Sequence, residues 1–279
     1  MNQSKDEESK LSATACYLFC LADSSLLSAA AGAGVDGRSP IFLHRALDIV
    51  AVLSSVAIEE FCGPEAEQKM KDLTWMGPRA CRHEEIVEEA TRSSPVLPVR
   101  FGTLFSSLKK LEELIAEHHG TISDFLVRIA DKEEWAVKGF VDKSKARNEI
   151  VSQALEQRAA SPSSVTPGIR YFQEQRIRAN VEKQLNGWLR TTCSAVAGEL
   201  YGHATDFREG KLLSSGETIT GSDKILNWSF LVPRARTADF RAQIDLTNAE
   251  CEKHGLTFKL SGPWPPYSFC PSLTPETVH

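Results

Sequence analysis

The first half of the chain alternates between short apolar runs and longer segments with helical spacing. Apolar runs of five to ten residues, rich in Val, Leu and Phe, are typical of strands that are buried on at least one face. Such runs predict strands at 13–22, 41–45, 48–56, 95–100 and 134–141. Pro95 and Pro98 each lack a backbone donor, so we expect the 95–100 run at a sheet edge or as an interrupted strand.

Apolar positions recur at helical spacing in three segments of the same half, namely 65–91, 106–119 and 121–130. Gly77-Pro78 interrupts the first segment, and Pro78 suits the first turn of a new helix. The order of strands and helices predicts an α+β domain of the ferredoxin-like kind. We expect its helices on one face of a mainly antiparallel sheet.

The second half begins with two helical patterns, at 143–158 and 169–199, which flank a linker rich in Ser, Pro and Gly near 159–168. This arrangement predicts a helical hairpin, and the strand, strand, helix and strand patterns that follow predict a small α+β unit. We therefore expect a flexible tail at 1–12, a ferredoxin-like domain at 13–142, a C-terminal domain at 143–270 and a second tail at 271–279.

Composition narrows the class of protein. A net charge of −5 argues against general nucleic-acid binding, and no apolar run reaches the roughly 20 residues that cross a lipid membrane. The polar start of the chain does not have the pattern of a secretory signal. Seven scattered cysteines favour reduced thiols in a cytoplasmic protein, and Cys16 and Cys20, four apart on a strand, are expected on the same side.

Motifs with catalytic potential are incomplete. The glycines at 32–37 match G-x-G-x-x-G by letter, but no strand directly precedes them and no helix pattern follows. His83 and Glu84 begin like a zinc-protease helix, yet Val87 stands where a second histidine would be. We interpret this stretch as a solvated helix face. The sequence therefore predicts no catalytic, cofactor or metal site.

Two unusual segments are candidates for partner binding. Residues 95–105 place an arginine inside an apolar stretch, and residues 262–269 (GPWPPYSF) combine stiff prolines with aromatic rings. The candidate residues are Arg100, Phe101, Trp264, Pro265, Pro266 and Tyr267. Two alternatives stay open, because Arg100 can instead pair with an acid such as Glu134, and the second segment can clamp back on its own domain.

The ordered set of short motifs along the chain resembles the GvpL/GvpF family of gas vesicle proteins. The motifs are 16–19 (CYLF), 35–37 (VDG), 48–54 (DIVAVLS), 83–87 (HEEIV), 95–103 (PVLPVRFGT), 134–138 (EWAVK), 167–172 (PGIRYF) and 261–269 (SGPWPPYSF). The resemblance implies an accessory protein of gas vesicle assembly without enzymatic activity. It also implies a ferredoxin-like N-terminal domain and a largely helical C-terminal domain.

The implied partners are the small hydrophobic shell protein and other gas vesicle accessory proteins, with no role for nucleic acid or lipid membrane. The chain would act in the cytoplasm, associated with gas vesicles, as a chaperone or nucleation factor. The 95–100 edge could accept a partner strand, and the basic helix at 170–190 could meet acidic surfaces. The alternative is a ferredoxin-like protein that binds haem, flavin or another small molecule, with His44 or His83 as a ligand.

Overall fold

The computed structural model describes residues 14–25, 32–159, 167–211, 218–219 and 222–273. The described chain forms two compact units, one made of the residues up to Asp131 together with those from Pro265 onward, and the other of Lys132–Trp264. The predicted tail at 1–12 and most of the linker near 159–168 lie outside the described residues. The division at 131 and 132 differs from the boundary expected at 142 and 143.

The first unit contains one antiparallel sheet, with strands in the order β2-β3-β1-β4 and with β5 also paired to β1. This is the strand order of a ferredoxin-like fold, in which the first strand lies between the third and the fourth. Its elements are β1 (Thr14–Asp23), β2 (Ile41–Ala46), β3 (Ile49–Ala57), α1 (Ile58–Phe61), α2 (Pro64–Lys69), α3 (Leu73–Ser93), β4 (Val96–Pro98), β5 (Leu104–Phe105), α4 (Leu108–Glu117) and α5 (His119–Ile129).

Helices cover both faces of this sheet, not one face as expected. Tyr17 and Cys20 of β1 pack with Val87 of α3 on one face. On the other face, His44 of β2 reaches Glu112 of α4 at 2.9 Å. The apolar run of β1 is therefore buried on both sides, which explains why it does not alternate with polar residues.

A β-bulge in β1 sets which side chains face which helices. The register with β3 shifts between Leu18 and Cys20, so one additional residue is accommodated there. Leu18 and Leu21 consequently share a face, although residues three positions apart in a regular strand lie on opposite faces. For the same reason Cys16 and Cys20 face opposite sides, which corrects the expectation that they would share one.

Helix α3 begins at Leu73, earlier than the start expected near Pro78. The Asp72 carboxylate accepts a hydrogen bond from the Thr74 backbone N–H at 2.9 Å and caps the helix there. Pro78 lies inside the helix, in its second turn, where the loss of one backbone hydrogen bond is tolerated.

The second unit repeats the strand order of the first with different connections. The strands of its sheet lie in the order β10-β6-β9-β7, and all the pairs are antiparallel. β6, the first strand of this unit, therefore lies between β9 and β10, just as β1 lies between β3 and β4. Its elements are β6 (Lys132–Val141), α6 (Lys143–Ala159), α7 (Pro167–Tyr201), β7 (Asp206–Glu209), β8 (Thr218–Ile219), β9 (Ser222–Pro233), α8 (Thr237–Cys251) and β10 (Leu256–Trp264).

The strand predicted at 134–141 exists as β6, but it lies at the centre of the second sheet and not in the first domain. β6 pairs with β9 on one side and β10 on the other. The predicted helical hairpin is present as α6 and α7, which pack together between β6 and β7 in the chain. The core of this unit contains Trp228, Phe230 and Phe240.

Candidate functional site

An edge loop, residues 99–103, leaves the first sheet between β4 and β5. The two strands pair with different parts of β1, so the segment between them is an interrupted edge, as its prolines predict. The loop is tied to β1 at both ends: the Val99 N–H donates to the Phe19 carbonyl at 3.1 Å, and the Leu18 N–H donates to the Thr103 carbonyl at 3.0 Å. Gly102 takes a positive φ of 83°, which favours glycine.

A buried chain of hydrogen bonds holds the edge loop from inside. The Gly102 N–H donates to the Tyr17 hydroxyl at 3.0 Å, and that hydroxyl lies 2.9 Å from His83 Nδ1. His83 Nε2 lies 3.1 Å from the Val99 carbonyl. A carbonyl only accepts, so Nε2 carries the proton and Nδ1 accepts from Tyr17.

His83 therefore lies in the core and not on the solvated helix face expected from the sequence. Its side chain is 2% exposed, and Tyr17 and the Val99 carbonyl satisfy both ring nitrogens. Burial lowers the pKa of His83 to about 4, and the Val99 carbonyl opposes that shift only in part. The imidazole is neutral at neutral pH and serves as a rigid connector.

The strap, residues 265–273, follows the second unit in the chain and packs on the first unit. The Tyr267 hydroxyl lies 3.3 Å from His83 Nε2 and also bonds with the Glu84 carboxylate. Burial, followed by the nearby Glu84 charge, raises the pKa of Tyr267. Arg128 donates to the Phe269 carbonyl at 2.8 Å, so the strap is fixed at more than one point.

β4 is the last strand of the sheet, yet its outer edge is not open. All three of its residues are buried, and Pro98 has no N–H to offer. The Cys270 thiol of the strap lies 3.5 Å from the Pro98 carbonyl and 3.4 Å from the Pro266 carbonyl, so these two acceptors share its one hydrogen. Burial of its three residues and the missing N–H of Pro98 make β4 a poor template for the added strand that the sequence suggested at residues 95–100.

A groove of about 670 Å³ lies between this edge and the strap. Its apolar lining includes Leu18 and Leu21 of β1, Leu97 of β4 and Leu114 of α4, and residues 270–273 of the strap complete it. The bulge in β1 is what places Leu18 and Leu21 on the same face. Arg100 of the edge loop adds a cation to this lining.

The six predicted partner-binding residues fall in different environments. Arg100 is exposed and lines the groove, and Tyr267 lines it while half-buried. Phe101 is half-buried, with its ring 5.9 Å from that of His83, so it mainly supports the loop. Trp264 belongs to the second unit and is 40% exposed. Pro265 and Pro266 of the strap are buried.

The part of the 262–269 segment from Pro265 onward thus packs on the first unit, and not on the C-terminal domain to which the sequence assigned it. Sequence reasoning missed the four leucines, and it also missed residues 270–273, of which 271–273 were expected to be part of a tail. An apolar residue in a strand carries no signal that distinguishes a groove wall from a core position.

Burial keeps two ionisable groups of the first unit neutral. Burial raises the pKa of Cys20 to about 12, and burial also raises the pKa of Tyr17, so neither group is ionised at neutral pH. Within the described ranges, no three candidate ligands cluster in a way that could hold a metal ion. The glycine-rich stretch at 32–37 continues into β2 through turns and opens no helix.

A helix that spans a bilayer needs about 20 mostly apolar residues. None of the helices in the described part of the chain is both long enough and apolar enough to span one.

Comparisons with known proteins agree on one group. A family model described as "Gas vesicle synthesis protein GvpL/GvpF" matches residues 15–271. Gas vesicle protein L of Streptomyces sp. (strain CB03234) is 27% identical over 251 residues, which is 88% of each chain. Gas vesicle protein F of the same strain is 28% identical over 188 residues, covering 67% of this chain and 75% of that protein.

The fold has a solved counterpart as well. The crystal structure of the gas vesicle protein GvpF from Anabaena sp. PCC7120 superimposes with a TM-score of 0.67 at 16% identity. The match covers 93% of this chain and 97% of that one, so the α+β architecture is shared over nearly the whole length.

Proposed function

The chain belongs to the GvpL/GvpF family of gas vesicle synthesis proteins, and on that premise we propose that it binds the small hydrophobic shell protein during vesicle assembly. The observation that supports this most directly is the groove of the first unit, whose accessible lining combines part-exposed apolar side chains, among them Leu114, with the exposed cation of Arg100. The proposed role is that of a chaperone or nucleation factor in the cytoplasm, and it requires no chemical step.

The physical need for such a partner follows from the vesicle wall. A wall that encloses gas requires an apolar inner face, so its subunits expose apolar surface before they assemble. Exposed apolar patches aggregate in water. A partner that covers them reversibly keeps the subunits available until a growing wall accepts them.

Binding of other vesicle accessory proteins is the second part of the proposal. Arg176, Lys183 and Arg190 are exposed on α7, along the helix whose basic character the sequence indicated. Exposed cations of this kind accelerate encounters with acidic surfaces. Raising the salt concentration should therefore weaken these contacts more than it weakens contacts in the apolar groove.

The haem or flavin alternative receives less support from the same geometry. His83 uses both ring nitrogens within the core, so metal ligation would break at least one buried hydrogen bond. His44 has its Nε2 on the Glu112 carboxylate. Iron ligation is therefore disfavoured at His83 but not at His44, because a metal-bound imidazole commonly bonds a carboxylate through its second ring nitrogen.

Co-expression with the shell protein tests the proposal. We expect a substantial fraction of the shell protein to stay soluble and to co-purify with the full-length chain, and to be insoluble without it. A soluble fraction that does not change, with no shell protein co-purifying, would refute direct binding. A coloured purified protein with cofactor absorbance would instead favour the alternative.

A further inference from the structure

We infer that the groove of the first unit receives an amphipathic helix of the partner, one that presents leucine-sized side chains and a carboxylate at the border of its apolar face. This inference rests on the proposed function and specifies how the partner is recognised. It depends on three features: the lining of the groove, the burial of β4 and the unpaired charge of Arg100.

The lining selects aliphatic side chains. The part-exposed apolar side chains of the groove include Phe105, Leu114 and Leu273, and they lie over a floor of the buried leucines Leu18, Leu21 and Leu97. Leucine-rich grooves of this kind take side chains spaced at i, i+3 or i+4 and i+7 along a bound helix. A groove of about 670 Å³ accommodates only a few such side chains, so the contact is local.

The closed edge excludes an added strand as the occupant. Strand addition is driven by backbone hydrogen bonds to an exposed sheet edge. The residues of β4 are all buried, Pro98 lacks an N–H, and the Cys270 thiol lies 3.5 Å from the Pro98 carbonyl. Recognition must therefore come from side chains, and a helix presents side chains while satisfying its own backbone.

Arg100 supplies the charge preference. It is exposed on the groove, and within the described part of the first unit no carboxylate lies within ion-pair distance of it. The other long cations nearby in the sequence differ, since Arg92 pairs with Glu89 and Lys110 pairs with Glu113. An unpaired guanidinium beside an apolar surface favours a carboxylate that arrives with the apolar face.

The test uses the full-length chain co-expressed with the shell protein, with retained soluble shell protein as the readout. Arg100→Glu and Leu114→Gln alter the groove. Arg38→Glu and Val127→Gln are matched controls, because both residues are exposed in the same unit and neither lines the groove. We expect each groove variant to weaken retention by about tenfold, and the controls to behave as wild type.

Charge exchange then identifies the contact. Each acidic residue of the shell protein is changed in turn to lysine and tested against wild type and Arg100→Glu. We expect one lysine variant that wild type binds poorly and that Arg100→Glu binds well. Arg100→Glu keeps this test valid even if Leu114→Gln proves unstable, because Arg100 is exposed and its replacement leaves the core intact.

The outcomes separate the two proposals. If wild type retains no shell protein, the proposed function fails and the inference fails with it. If wild type retains shell protein and the groove variants match the controls, the inference is overturned and the function stands. A chain that dimerises alone, in a manner abolished by Arg100→Glu, would make a second copy the occupant and would also overturn the inference.

Discussion

The two units share a strand order but close the edge of the last strand in different ways. In the second unit, the Asn248 amide of α8 donates to the Phe258 carbonyl at 2.9 Å and accepts from the Phe258 N–H at 2.7 Å. At Phe258, one side chain ten positions away in the sequence thus makes the two backbone hydrogen bonds that a neighbouring strand would make. In the first unit, the strap closes the edge of β4 from more than 160 positions away through the weaker Cys270 thiol bond.

This difference explains why a groove is present in the first unit. An amide that bonds both backbone groups of one residue holds its helix against the strand. A strap that crosses the edge at a few points leaves a gap between itself and the sheet, and the leucines of β1 and α4 line that gap. The same strand order therefore has an edge bonded by one nearby side chain in one unit and a groove beside the edge in the other.

The largest expected effect comes from the two cores. Phe19→Ala in the first unit and Phe230→Ala in the second remove rings that are fully buried. Each should destabilise its own unit by about 3–5 kcal/mol. Hydrogen exchange followed by mass spectrometry should show faster exchange confined to the unit that carries the change. Equal acceleration in both units would mean that they unfold as one.

Acid should weaken the first unit more than the second. His83 is neutral when folded and has a pKa of about 4, while an unfolded histidine has a pKa near 6.5. Between these values the unfolded state binds more protons, so this stabilisation is present above about pH 6.5 and decreases as the pH falls toward 4. The full loss is about 3 kcal/mol.

That loss is measured by titrating the full-length chain with denaturant at several pH values between 7 and 4. Hydrogen exchange then reports the unfolding of each unit separately. The His83→Gln variant is the control, because it cannot gain the proton and should show a flatter pH dependence of its free energy of unfolding. An unchanged slope in His83→Gln would assign the acid sensitivity to another group.

Opening the sealed edge of the second unit should have an intermediate effect. Asn248→Ala leaves the N–H and the carbonyl of Phe258 without their partners and should destabilise the second unit by about 2 kcal/mol. Cys270→Ala in the first unit removes only a thiol donor and should cost far less. Comparing the two free energies of unfolding measures how differently the edges are closed. Equal losses would contradict the comparison.

The smallest expected effect is a gain in the first unit. Leu47 lies at the β2–β3 hairpin turn with a positive φ of 57° and is 68% exposed. Asparagine tolerates that conformation better than leucine, so Leu47→Asn should stabilise the unit by about 0.5–1 kcal/mol. Leu73→Asn, another exposed leucine that begins α3, is the control without backbone strain. A thermal midpoint that rises equally in both would exclude backbone strain as the cause.

Sequence patterns predicted most strands and helices because burial and periodicity are local properties. The interrupted edge at 95–100 was also predictable, since each proline removes a donor wherever the strand lies. Sheet membership was not predictable for residues 134–141. The same alternating pattern fits the edge of one sheet or the centre of another, and only the pairing with β9 and β10 decides.

The candidate site was predictable only in part. Arg100 stood out because a charge inside an apolar segment is unusual, and Tyr267 stood out through its proline-rich neighbours. Leu18 and Leu21 could not be recognised, because their shared face depends on a bulge that leaves no mark in the composition of β1. The function of the strap depends on contacts with residues far away in the chain, such as His83.

The position of the strap at the end of the fold also sets an order of events on the ribosome. Residues 265–273 leave the ribosome only after the whole second unit has been translated, although they belong to the first. Domains that fold during synthesis fold as their residues become available. The groove of the first unit is therefore completed only after the second unit has been translated, and any activity that needs the groove begins after that point.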